Sequence, residues 1–178
     1  NTTVKNIKYK NGIFTVSTDS KKYEYDKVII STGGNCRKLP YSGYSLAESL
    51  GHAVTELKPA LTAFVTGEKW IKNLAGVSVK NAEISAFFEN KLVKKEKGDF
   101  IFTHKGVSGP LIFKISSYCA FLNYGKSSPL TLKINFIPEK NSETIDNELI
   151  KNLSANPKKN ISNILDDYAA RSIMQTLI

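Results

Sequence analysis

Arginine is nearly absent from this chain: only Arg37 and Arg171 occur among 178 residues. Lysine supplies the rest of a basic surplus of 25 Lys and Arg over 16 acids, a formal net charge of +9. Arginine forks are the usual readers of base edges and phosphates, so a lysine-dominated surplus reads as a solvated basic face, and no specific nucleic-acid partner is expected. Cysteine and histidine are scarce too. Cys36 and Cys119 lie far apart, with no Cys-x-x-Cys pair, and His52 and His104 are the only histidines. Four zinc ligands cannot be assembled at these spacings, so no metal site is expected, and the thiols read as reduced in a cytoplasmic protein. Neither histidine sits in a nucleophile-elbow pattern, which leaves no Ser-His-Asp arrangement and no residue with a catalytic assignment. Apolar runs stay well short of the roughly 18 residues a bilayer crossing needs, and no signal-peptide pattern opens the chain. Membrane partners are therefore not expected.

What is present is an ordinary globular composition, 41% hydrophobic and 23% charged, enough for one domain or two small ones. Val4 to Lys10 alternates as a strand, Asn11-Gly12 is a strong two-residue hairpin signal, and Ile13 to Thr18 returns. Asp19 to Lys22 turns again into Tyr23 to Ser31. The nine residues from Asp26 to Gly34 are the most informative in the chain. Val28, Ile29 and Ile30 suit a strand covered on both faces, as in a parallel sheet, and it ends in Thr32-Gly33-Gly34. Ser45-Leu-Ala-Glu48 has capping-box spacing, Gly51 is placed to end a short helix, and Pro59 marks a crossing into a second unit.

Beyond that crossing, Leu61 to Thr66, Val77 to Phe88, Lys91 to Lys95 and Phe100 to Thr103 read as short strands, with turns at Glu89-Asn90 and Lys97-Gly98-Asp99. Ser108-Gly109-Pro110 reads as a helix start with Ser108 as cap. Leu111, Ile112, Ile115, Cys119 and Leu122 follow at helical spacing. Leu130 to Phe136 is a strand, Ser142 to Leu153 a helix, and Ile161 to Ile178 is helical with an interruption.

Two constellations can carry chemistry. Thr32-Gly33-Gly34 with Asn35 is either a tight turn or a place where main-chain amides meet a ligand without steric hindrance. The run from Phe102 to Pro110 holds His104, Ser108 and Gly109 at a helix start. That end offers free N–H groups to an anion or a polarised carbonyl; alternatively Ser108 only caps, Gly106 only turns and His104 only satisfies backbone. The strand, Gly-x-Gly-x-x-Gly, helix unit that opens a dinucleotide-binding fold is missing.

At these constellations the sequence resembles the BaiN-like flavoproteins, a bacterial family of NAD(P)/FAD-dependent oxidoreductases. The match rests on Asp26 to Gly34, on Gly43 to His52 running into Leu57 to Leu61, and on Phe102 to Pro110. The stretch Asn35 to Gly43 departs from the family, being shorter and lacking its acidic residue. The resemblance implies an α+β chain: a β-meander and strand from a glutathione-reductase-like FAD domain over residues 1–57. An inserted mixed β/α domain with a helical carboxyl-terminal part then occupies 58–178. Thr32, Gly33, Gly34 and Asn35 are then expected to contact FAD, with His104, Ser108 and Gly109 toward the active site. FAD is the expected cofactor, NAD(P)H and an unknown small molecule the expected reactants, and an excised fragment of the enzyme the expected status. The alternative is a non-enzymatic basic module that holds an acidic partner or RNA.

Overall fold

The structure, a computed structural model, describes residues 2–34, 41–166 and 168–177. It is α+β with antiparallel sheets, and it divides into two compact units, Asn1–Leu57 and Lys58–Ile178.

The first unit is a three-stranded meander of β1 (Asn6–Lys10), β2 (Ile13–Ser17) and β3 (Lys22–Tyr25), followed by helix α1 (Gly43–Ser49). Asn11 and Gly12 both have positive φ, 53° and 85°, as a type I′ hairpin turn requires. The register places Tyr9, Phe14 and Tyr25 in one cross-strand row and Ile7, Val16 and Tyr23 in the next. Helix α1 covers the Ile7 end of this face: Ile7 and Leu46 are buried, and Ser49 Oγ donates to the Ile7 carbonyl at 3.4 Å. The α1 cap is Ser42, whose Oγ accepts from Ser45 N. The helix thus begins two residues before the expected capping box, and the box partner Glu48 lies in its last turn.

The covered strand expected over 26–34 is not formed. Strand β3 ends at Tyr25, residues 27–34 are irregular, and Ile29 is 90% exposed. A β-branched run becomes a strand only where neighbours accept its backbone hydrogen bonds. No described strand lies beside this one.

The second unit holds a five-stranded sheet in the order β4-β7-β6-β5-β8, antiparallel throughout. Its strands are β4 (Phe64–Val65), β5 (Ser78–Phe88), β6 (Lys91–Thr103), β7 (Gly106–Ser108) and β8 (Thr131–Asn135). A 3-10 turn over Lys69–Leu74 seats Trp70 against the ring of Phe102, centroids 6.3 Å apart. Helix α2 (Pro110–Cys119) lies on β6, burying Leu111, Ile112, Ile115 and Cys119 against Ala82, Ile84, Ala86, Phe100 and Phe102. Leu130, Leu132, Ile134 and Phe136 pack on the edge of this core from the β8 side. Helices α3 (Ser142–Ala155), α4 (Ile161–Leu165) and α5 (Arg171–Leu177) complete the unit.

Two expectations are corrected here. Lys97-Gly98-Asp99 is not a turn: β6 runs unbroken for 13 residues. Glycine takes extended as readily as turning conformations, and Gly98 lies under α2, where an added Cβ would stand 3.5 Å from Leu111 Cβ. The irregularity falls instead on β5, where the register shifts between Val79 and Ala82. Ser108 is not the α2 cap. It is the last residue of β7, paired with Ile101, and Gly109 is the N-cap with no side-chain cap hydrogen bond.

Gly109 has φ 101°, and a Cβ there would stand 3.1 Å from Phe100 Cα. Replacement by Ala strains the backbone and pushes α2 off β6, so Gly109→Ala should lower unfolding stability by about 1–3 kcal/mol. Chemical denaturation of the purified chain measures this. An unchanged midpoint would show that helix and strand separate here without penalty.

Candidate functional site

The candidate residues fall into two groups, one in each unit, and each group has its own local geometry. In the first unit Thr32, Gly33 and Gly34 form an exposed, irregular segment. Asn35 lies outside the described residues. Gly33 has φ 81°, a conformation that favours glycine. Around Gly34 the space is open, since an added Cβ would meet nothing within 4 Å. Thr32 is held from the other side, because its side chain and that of Ile30 lie against the Cα of Gly43 at the start of α1. A Cβ at Gly43 would overlap Thr32 Oγ1 and stand 2.9 Å from Ile30 Cγ2. Gly43 therefore lets the segment before Gly33 close on α1, while main chain at Gly33 and Gly34 stays bare toward solvent. A flat group could reach those amides without meeting a described side chain of this unit.

In the second unit His104 and Lys105 are the two-residue turn between β6 and β7, closed by the Thr103–Gly106 pair, and both are exposed. Gly106 does not make that turn. It opens β7, and a Cβ there would collide with the Phe64 carbonyl, so its role is to let β4 approach. Ser108 and Gly109 follow on the half-buried path into α2. The hairpin brings His104, Ser108 and Gly109 into one β6–β7–α2 corner, yet among the described residues no side-chain hydrogen bond joins them to one another. Phe113 N donates to the Gly109 carbonyl at 2.9 Å, closing the first turn of the helix.

Nearby polar groups had no motif to announce them. Ser116 is buried on the apolar stripe of α2, accepting from Thr62 N at 2.9 Å and donating to the Phe113 carbonyl at 2.8 Å. One hydroxyl among the stripe's aliphatic residues was the signal in the sequence. Thr66 Oγ1, just after β4, is buried without a hydrogen-bond partner among the described residues. Cys119 is buried on the same helix, and desolvation pushes its thiol pKa up, which makes it a poor nucleophile at neutral pH. Cys36 lies outside the described residues.

Charge is concentrated at the exposed margin between α2 and the sheet. Glu96 Oε2 accepts from Lys114 Nζ at 2.6 Å, and Lys94 Nζ stands 3.1 Å from its other oxygen. Hydrogen bonds from Lys114 first, then Lys94, hold the Glu96 carboxyl below its ordinary pKa. Lys94 also lies over the Tyr118 ring, 4.3 Å from its centroid. Two clefts in this unit, of about 360 and 220 Å³, are lined by other residues. The larger lies between Lys140, Glu148, Lys151, Asn152 and Tyr168. No group of three or more potential metal ligands converges among the described residues, and no described helix is long and apolar enough to cross a membrane.

Comparison with known proteins finds relatives for the whole of the second unit. A family model described as the HI0933-like protein barrel and H2TH domain matches residues 58–178. The 3-dehydro-bile acid delta(4,6)-reductase of Clostridium scindens is 29% identical over 129 residues, 71% of this chain and 31% of that protein. The ribosomal RNA dihydrouridine synthase of Escherichia coli is 29% identical over 171 residues, 92% of this chain and 39% of that protein. The enzyme of the same name from Haemophilus influenzae is 26% identical over 174 residues, 93% of this chain and 39% of that protein. The chain thus spans about a third to two fifths of the length of these curated relatives.

The charged margin makes a pH-dependent prediction. A carboxyl whose folded pKa lies below its unfolded value stabilises the fold above the unfolded value and loses that contribution as pH falls through the folded one. Glu96→Gln should therefore be less stable than the parent chain near neutrality. The difference should shrink once pH drops below about 4.5, the ordinary value for this group. Urea midpoints for both chains across the acid range measure it. A difference that does not change with pH would remove the ion pairs from the account.

Proposed function

The chain belongs to the HI0933-like family of BaiN-like flavoproteins, and on that premise we propose that it is the middle portion of a flavin-dependent oxidoreductase. In this reading residues 1–57 are part of a glutathione-reductase-like FAD domain, and 58–178 are a domain inserted into it. The observation that carries the reading is the bare main chain at Gly33 and Gly34, at the end of the segment that resembles the family's strand. Thr32, Gly33, Gly34 and Asn35 would hold FAD, with the glycine amides approaching it and Thr32 kept in place by Gly43. His104, Ser108 and Gly109 would face the reaction from the β6–β7–α2 corner. When bound, FAD supplies the hydride chemistry, taking a hydride from NAD(P)H or an organic substrate or giving one up.

The remaining steps belong to the chain itself. The turn at His104-Lys105 presents an imidazole and an ammonium to solvent, groups able to orient an acidic or carbonyl-bearing molecule. In this reading no proton-transfer or nucleophilic role is assigned to a described side chain, and the chain's contribution is binding and positioning. The Gly-x-Gly-x-x-Gly unit that grips the pyrophosphate would come from the rest of the longer protein. The relatives are named for reactions on a bile acid and on ribosomal RNA, so the family premise leaves the substrate open between these classes.

Gly34 offers the cleaner test of the two glycines. Valine at Gly33 is strained by its positive φ whatever is bound, whereas the Cβ of a valine at Gly34 meets no described atom within 4 Å. Gly34→Val in the full-length protein should therefore abolish the visible flavin spectrum while leaving thermal unfolding of the purified 178-residue chain unchanged. Normal FAD occupancy in that variant would sink the assignment.

A further inference from the structure

The chain-wide lysine surplus says nothing about where the lysines fall, and the sheet of the second unit gathers three of them on one face. Directly opposed residues of antiparallel strands share a face. The face of β6, β5 and β8 turned away from α2 therefore carries Lys97, Glu83 and Asn135 in one row and Lys95, Ser85 and Lys133 in the next. Phe87, paired with Thr131 on β8 and Leu92 on β6, comes one row further. Lys95, Lys97 and Lys133 are exposed. Lys133 Nζ stands 5.0 Å from the centroid of the Phe87 ring. Glu83 lies inside the patch and pairs with Lys95 at 2.7 Å. Asp99, further along β6, accepts from Asn81 N. Lys97 and Lys133 have no ion-pair partner among the described residues.

We propose that this outer face is a docking surface for single-stranded RNA. Strand spacing separates Lys95 from Lys133 by about 10 Å across the sheet, and Lys95 from Lys97 by about 7 Å along β6. Three long, flexible lysine side chains rooted at those separations can follow a phosphodiester chain crossing the strands obliquely. An aromatic ring at the margin of a basic sheet face gives an unstacked base a platform. The ammonium now over the Phe87 ring is released to a phosphate as the base replaces it. Ser85, between two lysines, makes no side-chain hydrogen bond among the described residues, and with Thr131 and Asn135 it can bond a ribose 2′-hydroxyl. An anionic membrane would use the lysines and the ring but leave the hydroxyls without a ribose to bond. An acidic protein would leave the ring idle.

This surface is independent of the glycine segment, although the flavin reading supplies what the RNA would be brought to. Its test therefore needs no flavin. Fluorescence anisotropy of a labelled single-stranded RNA of about 10 nucleotides, titrated with the purified 178-residue chain, gives affinity at several salt concentrations. The triple variant Lys95→Gln, Lys97→Gln, Lys133→Gln should bind more weakly and lower the salt slope by about 2, since each lysine–phosphate contact on a single strand contributes about 0.7. Lys8→Gln, Lys10→Gln, Lys22→Gln removes the same charge from the other unit and should leave that slope unchanged. Phe87→Leu should weaken binding on the order of tenfold, with Phe87→Tyr restoring it. DNA of the same sequence should bind more weakly than RNA. No RNA binding, an equal loss in the control triple, indifference to Phe87→Leu, or equal affinity for DNA would each overturn the proposal. A lost flavin spectrum in Gly34→Val with RNA binding intact would separate the two readings.

Discussion

Helix α2 must lie close on β6, and the second unit is organised around that contact. Phe100 and Phe102 fill the space beneath the helix, 2% and 0% exposed, their ring centroids 5.0 Å apart in an edge-to-face arrangement. Such rings bury large apolar area only if helix and strand backbones approach without intervening side chains. Gly98 supplies that clearance under Leu111, and Gly109 supplies it over Phe100. Gly106 does the same for the next layer, letting β4 pair with β7. Three glycines within twelve residues are thus spacing elements of this corner.

The charges respect this core. Lys94, Glu96 and Lys114 close the gap between helix and sheet with their heads in solvent, and the long lysine stems lie along apolar surface. Residues one step along β6 point the other way, so Lys95 and Lys97 leave the core face entirely. The two-residue period of the strand makes one lysine-rich stretch serve two purposes: Lys94 seals the core margin, while its neighbours build the outer basic face. Charge counting over the whole chain mixes these populations, and so it understates how polarised the sheet is.

Local chemistry was legible where it is decided locally. Asn11-Gly12 predicts its hairpin because few other pairs accept two successive positive φ angles. The stripe Leu111, Ile112, Ile115, Cys119 predicts α2 because helical period and burial coincide. Ser108 misleads because a serine before Gly-Pro has the composition of a cap, yet its backbone is already committed to pairing with Ile101. Lys97-Gly98-Asp99 misleads for a related reason: glycine is permissive, and long-range contact with Leu111 selects the extended form.

The amino-acid order by itself determined the meander, the apolar face of α2 and the motifs that resemble a flavoprotein family, because each depends on residues near one another along the chain. Tertiary structure alone decided that residues 27–34 are irregular, since a strand needs partners that sequence cannot supply. It also decided that Gly43 seats Thr32, and that lysines from β6 and β8 meet across Ser85. Those outcomes join residues from 10 to 48 positions apart, and only the folded chain sets which of them become neighbours.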